Sequence, residues 1–281
     1  MNQSVKSHLM KFSICAVLML VVYIPMFVWM VDRWTGEESY YGHGFLIPLV
    51  SLYFAWQRKD QLKNMEISSD MRGLILIGGA LAAHLISALL RIYFLSGFSF
   101  VVALYGLVLF FFGNKTARAL TFPILFLFAM IPLPLVAVSA LTVKLKLAVA
   151  QVSTVILNMI GFTCVRDGSA IVMPHSYVMV GAPCSGLRSL ISLLTLGLIF
   201  SYTMKSSLVR KGVLFASSVP IALGTNVIRV TVLAMVSDLY GEKAATGFFH
   251  DFSGYAMFVI AFLALMWVSR AIEQVKVEKN S

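Results

Sequence analysis

Long apolar runs separated by short polar segments recur from one end of the chain to the other. Read as helices, they predict eight spans, at about residues 12–31, 44–57, 72–90, 95–112, 119–138, 184–204, 211–237 and 252–270. Most approach the roughly twenty residues needed to cross a hydrocarbon core about 30 Å thick, and the second is short. The pattern predicts an all-α polytopic membrane protein: about eight transmembrane helices in a single integral membrane domain over residues 1–281. The first run follows Lys6 and Lys11, so it begins like a signal peptide. It is long, it ends in Phe27-Val-Trp-Met30, and no small-x-small cleavage site follows it, which favours a retained span.

The pattern changes between the fifth and sixth spans. Ile131-Pro-Leu-Pro134 is a helix break, placed where water is near. Residues 141–183 then form the one extended outer segment, a small extracytoplasmic insert of helix plus hairpin. In Leu141 to Ile160, Lys144, Lys146, Gln151 and Asn158 alternate with apolar residues, which suits an interfacial helix and leaves a further span open. Phe162 to Val180 reads as a hairpin, with turn signals at Val165-Arg-Asp-Gly168 and Pro174-His-Ser176. Its strand edge could receive an extended peptide.

Composition agrees with the pattern. Of 281 residues, 59% are hydrophobic and only 12% charged, with mean hydropathy +0.89; soluble domains carry about 25% charge. The net charge of +10 would suit a polyanionic partner, but its distribution points elsewhere. With the N-terminus inside, fourteen Lys and Arg fall in cytoplasmic segments, six in outer segments and two, Arg188 and Arg229, within spans. That asymmetry is the positive-inside pattern, so basicity reports topology, and no nucleic-acid partner is expected. The three cysteines make no zinc pattern, and P-loop and dinucleotide fingerprints are absent. No cofactor or metal is expected.

An ionisable residue inside a span is costly and asks for a functional explanation. Every Asp and Glu lies outside the spans or at their ends, which counts against proton- or sodium-coupled transport. In Gly181-Ala-Pro-Cys-Ser-Gly-Leu-Arg-Ser-Leu190, Cys184 and Arg188 are spaced i, i+4 and would share one face of a helix. A thiol at a helix N-terminus beside a guanidinium is the arrangement an activated sulfur needs. The plain alternative is a small packing cysteine and an arginine that snorkels to the interface. Asn226 and Arg229 share a face of the seventh span and require polar partners, either substrate or interhelical contacts. His250, in Gly247-Phe-Phe-His-Asp-Phe-Ser-Gly254, opens the eighth span. Cysteine, histidine and arginine brought to one depth would supply a nucleophile, a proton carrier and an oxyanion stabiliser.

In order and spacing, Ala182-Pro-Cys-Ser-Gly-Leu-Arg-Ser189, Asn226-Val-Ile-Arg229-Val and His250-x-x-x-Gly254 resemble the signature of the exosortase/archaeosortase family. Trp34 to Leu62, with Tyr41-Gly-His-Gly-Phe-Leu and Trp56-x-Arg-Lys, is similar to its first outer loop and second span, so the resemblance runs from about residue 32 to 262. Ala182-Pro183 departs from the Glu-Ala or similar pair found there in many members, which bears on sub-family and recognised signal. The resemblance implies a membrane cysteine peptidase/transpeptidase that acts on exported proteins bearing a C-terminal sorting signal. That signal is a short motif such as Pro-Glu-Pro, a hydrophobic helix and a basic tail. It implies Cys184 as nucleophile, His250 as general acid/base and Arg229 as transition-state stabiliser, with Arg188 and Asn226 supporting. The product would be passed to an amine, a lipid or glycan acceptor, or water. The expected location is the plasma (inner) membrane, with both termini cytoplasmic and the active site at the extracytoplasmic face.

Two other readings use the same residues. One is an intramembrane cysteine protease with water as acceptor. The other is a polyprenyl-phosphate sugar carrier or flippase, in which the arginines bind phosphate. Cys164, on the same outer side, could pair with Cys184 in an oxidising compartment. Ser185 beside the cysteine is a weaker nucleophile candidate. His84 reads as a hydrogen-bonded packing residue, His8 as part of a tail, His175 as a turn residue and His43 as a second-layer group of the site.

Overall fold

The structure, a computed structural model, describes residues 3–36, 39–181, 183–245 and 248–278. The chain forms two compact units, Met1–Pro134 and Leu135–Ser281. The first contains α1 (Gln3–Val22), α2 (Ile24–Thr35), α3 (Leu46–Gln57), α4 (Lys59–Lys63), α5 (Arg72–Leu89), α6 (Tyr93–Ala119) and α7 (Thr121–Phe126). The second contains α8 (Leu135–Met159), strands β1 (Val165–Asp167), β2 (Ala170–Val172) and β3 (Tyr177–Met179), then α9 (Leu187–Thr203), α10 (Leu208–Tyr240), α11 (Glu242–Ala245) and α12 (Phe248–Glu278). The protein is therefore all-α and polytopic, as the hydrophobic pattern requires.

The count of eight spans is not reproduced by helix length. Among the described residues five helices are long and apolar enough to cross a membrane: α5, α6, α8, α10 and α12. The bent pair α1–α2 makes a sixth if it is one span. The 12 residues of α3 reach only ~18 Å at 1.5 Å per residue, and the 17 of α9 reach ~25 Å.

Proline accounts for two of the differences. The predicted span 12–31 bends by 60° between α1 and α2, where Pro25 lacks the N–H that would continue the helical ladder. Tyr23 at the bend is fully buried, and its hydroxyl bonds Ser99 Oγ at 3.0 Å. The predicted span 119–138 is likewise broken. After α7 and a 3-10 turn, Leu127–Met130, the chain turns extended at Ile131. Pro132 and Pro134 both lack a donor, and each disfavours helical backbone in the residue before it. The broken segment is tied down within its own unit: Trp34 Nε1 donates to Met130 O at 2.9 Å and Leu133 N–H donates to the Tyr41 hydroxyl at 3.2 Å.

In the second unit, α8 takes in the stretch 141–159 together with the six residues before it, and it satisfies the length and composition of a span. That is the alternative the sequence left open beside an interfacial helix. The expected hairpin is present and extends to three antiparallel strands in the order β1-β2-β3. Ile171 and Val180 turn inward, with Cys164 and Cys184, onto Val149 and Leu157 of α8 and Val230 and Ala234 of α10. Ser153 Oγ of α8 donates to Val227 O of α10 at 3.4 Å. His175 holds the β2–β3 turn to α10 through its backbone N–H, which donates to Asp238 Oδ1 at 3.3 Å.

Candidate functional site

Cys184 does not sit on α9. It lies in a 3-10 turn, Pro183–Ser185, and the helix starts only at Leu187. The cause is Gly186, whose φ of +77° belongs to the left-handed region and interrupts helical geometry. The i, i+4 face expected for Cys184 and Arg188 therefore does not form. Arg188 is the second residue of α9 and is exposed, whereas Cys184 is buried. Ser185 is fully buried, and its Oγ accepts the Leu187 N–H at 3.3 Å, satisfying one donor of the first turn of α9.

The turn is held from α10. Asn226 Nδ2 donates to the Cys184 carbonyl at 2.8 Å, and the Cys184 N–H donates to Gly181 O at 3.1 Å. Asn226 is 3% exposed, so an unmade bond here would strand a buried polar group at a cost of about 1–3 kcal/mol. A β-carbon on residue 186 would stand 2.8 Å from Asn226 Cγ. Glycine is needed there for room as well as for conformation.

Arg229 follows Asn226 by three residues on the same buried face of α10, as the spacing predicts. Its Nε donates to Ser253 Oγ of α12 at 3.1 Å. Gly254 lies against the guanidinium: a β-carbon there would make ordinary van der Waals contact with Nη2, at 3.5 Å. Residue 250 lies in the first turn of α12, and positions 250, 253 and 254 share a helical face. The His250 side chain lies outside the described residues. Burial of the Cys184 sulfur works against a thiolate, while the charges of Arg229 and, more weakly, Lys146 of α8 work for one.

Sequence reading missed Ser253 as the anchor of Arg229 and Lys146 as a second cation acting on the sulfur. The spacing of Ser253, one turn after His250 and beside Gly254, was the available signal. Cys164 has contacts of its own. Asn158 Nδ2 donates to the Cys164 carbonyl at 3.0 Å and Asn158 Oδ1 accepts the Cys164 N–H at 3.2 Å. Among the described residues no disulfide forms, and Cys15, Cys164 and Cys184 are thiols. Burial, reinforced by the Asp238 charge, pushes the Cys164 thiol up from its ordinary value.

The remaining histidines divide clearly. His84 bonds Ser96 and packs against Tyr23, a packing role. His43 belongs to the first unit, where burial lowers its pKa. His8 is not part of a tail: it lies on α1 and lines a cleft. Among the described residues no three His, Cys, Asp or Glu side chains gather to hold a metal.

Residues 29–267 match the sequence description of the transmembrane exosortases. The chain belongs to that family. The match includes Cys184, Arg188, Asn226, Arg229, His250 and Ser253, and this exosortase is accordingly a multi-pass membrane protein. No curated protein and no solved structure matches it.

Proposed function

We propose that this exosortase is a cysteine transpeptidase that cleaves the C-terminal sorting signal of exported proteins at the outer face of the membrane. One observation carries the reading. The helix whose Asn226 holds the Cys184 carbonyl also carries Arg229, and Arg229 rests on Ser253 in the helix that carries His250. Membership of the exosortase family supports the same reading.

In this scheme the Cys184 thiolate attacks a peptide carbonyl of the substrate. A tetrahedral oxyanion forms, and the Arg229 guanidinium offsets its charge; preorganised donors of this kind are worth most where water is excluded. His250 gives a proton to the departing amine, the C–N bond breaks, and a thioester remains on Cys184. An acceptor amine then attacks the thioester, yields its proton to His250 and releases the Cys184 thiolate. Asn226 positions the nucleophile through its backbone, and Arg188 lies at the exposed start of α9.

The decisive comparison is Cys184→Ala against the unaltered chain, with substrate C-termini read by mass spectrometry. The variant is expected to insert and fold normally while processing falls below detection. Hydroxylamine added to the unaltered enzyme should appear on the new C-terminus as a hydroxamate. Continued cleavage by Cys184→Ala overturns the assignment. A free carboxylate in place of the hydroxamate, whatever the hydroxylamine concentration, assigns water as the acceptor and makes the enzyme a protease.

A further inference from the structure

A cleft of about 1140 Å³ opens in the first unit, between the start of α1, α4 with the linker after it, and the last turns of α6. None of the residues assigned to catalysis lines it. Its wall is built rather than incidental. The linker crosses α6 at Gly113, whose φ of +79° breaks the helix and whose missing side chain admits Ser68: a β-carbon there would come to 2.2 Å from Ser68 Oγ. Thr116 Oγ1 contacts Met65 Sδ at 3.8 Å, and the Asp70 N–H reaches Phe110 O at 3.4 Å, fixing the linker on either side of that crossing.

The lining is divided in character. Val108 is buried, and Phe12, Phe112 and Leu120 are half-buried. Lys59 and Lys63 are exposed at its edge, with Glu66 and the half-buried His8. Among the described residues neither lysine has an acidic partner within an ion-pair distance, Glu66 included. Lys59 Nζ stands 4.4 Å from the centre of the Trp56 ring, and the buried His8 Nδ1 has no hydrogen-bond partner. A neutral apolar ligand would leave two cations and an imidazole nitrogen unmatched, and a basic peptide would be repelled by the lysines. An anion attached to hydrocarbon satisfies both halves of the lining. The positive-inside distribution assigns this end of the unit to the cytoplasmic leaflet, and basic pockets between membrane helices on that side favour anionic headgroups.

We propose that this cleft binds an anionic phospholipid, with its phosphate at Lys59, Lys63 and His8 and its acyl chains against Phe12, Val108 and Phe112. The test uses the full chain, reconstituted with equal phosphatidylglycerol and phosphatidylcholine, released into detergent and weighed by native mass spectrometry with its retained lipid. Phosphatidylglycerol is expected to stay bound in preference to phosphatidylcholine. At roughly a fivefold contribution per surface lysine, Lys59→Gln with Lys63→Gln should lower retention by roughly twenty- to thirtyfold. Leu9→Trp, which keeps every charge and fills the cleft from α1, should lower it as well. Lys115→Gln, an exposed cation of α6 outside the lining, should leave retention unchanged. Equal retention of the two lipids, an unchanged Lys59/Lys63 double variant, or an equal loss in Lys115→Gln overturns the proposal. Displacement of the lipid by millimolar inorganic phosphate also overturns it, since the cleft would then be a free-phosphate site.

Discussion

Asn226 and Gly186 fit one another: the amide reaches the Cys184 carbonyl at 2.8 Å because nothing but hydrogen projects from residue 186. Asn226→Ala removes the donor and leaves a buried carbonyl unsatisfied, so the turn should lose its fixed position. The expected result is a ten- to hundredfold fall in kcat with KM little changed, the scale of loss that a displacement of about 1 Å produces. Asn226→Asp should behave like the alanine variant, because a carboxylate cannot donate to a carbonyl. Retention of full kcat by either would show that the turn holds itself. Asn226 and Arg229 were legible in the sequence because polar groups within an apolar span are expensive and demand an explanation. Their partners were not, being a main-chain carbonyl and the hydroxyl of an ordinary serine. Arg188 was drawn into the site by counting along a helix that Gly186 prevents from starting in time, and spacing alone does not reveal the φ a glycine adopts.

At the scale of elements, hydropathy located apolar segments well and their interruptions poorly. A sliding average runs through Pro25 and Pro132 because their neighbours are apolar, yet each removes a helical donor and the chain bends or breaks there. The hairpin was legible because its turns carry glycine and proline at positions where strands end. Its last strand lies at the edge of the sheet. Val180 N–H bonds Ser169 O and Met173 N–H bonds Ser176 O, so in this register Ile171 and Val178 exchange the intervening pair. The main-chain groups of Tyr177 and Met179 therefore face the outer edge of the sheet, five residues before Cys184 at the nearer position. Met179→Pro deletes one outward donor without touching the ladder, a substitution an edge strand accepts. If substrate pairs along this edge, KM for an extended peptide should rise several-fold with kcat preserved. An unaltered KM would remove the edge from substrate recognition.

At the scale of the whole molecule, the charge asymmetry predicts an orientation that can be measured directly. A cysteine replacing exposed Arg166 in the hairpin should react with an impermeant maleimide in intact cells. A cysteine replacing exposed Asn64, after α4, should react only once the membrane is opened. Labelling of position 64 from outside would invert the topology and with it the face proposed for peptide cleavage. The long helix α10 adds a mechanical property to this arrangement. Its 33 residues, ~50 Å, exceed the thickness of the hydrocarbon layer, so it leans, bends or projects into the headgroup layers, and bilayer thickness shifts that balance. Asn226, which holds the Cys184 turn, and Arg229 are both fastened to this one helix, less than a turn apart. Thinner or thicker lipid would swing them together like fittings on a single mast, so the spacing between them is insulated from the bilayer even where their height within it is not.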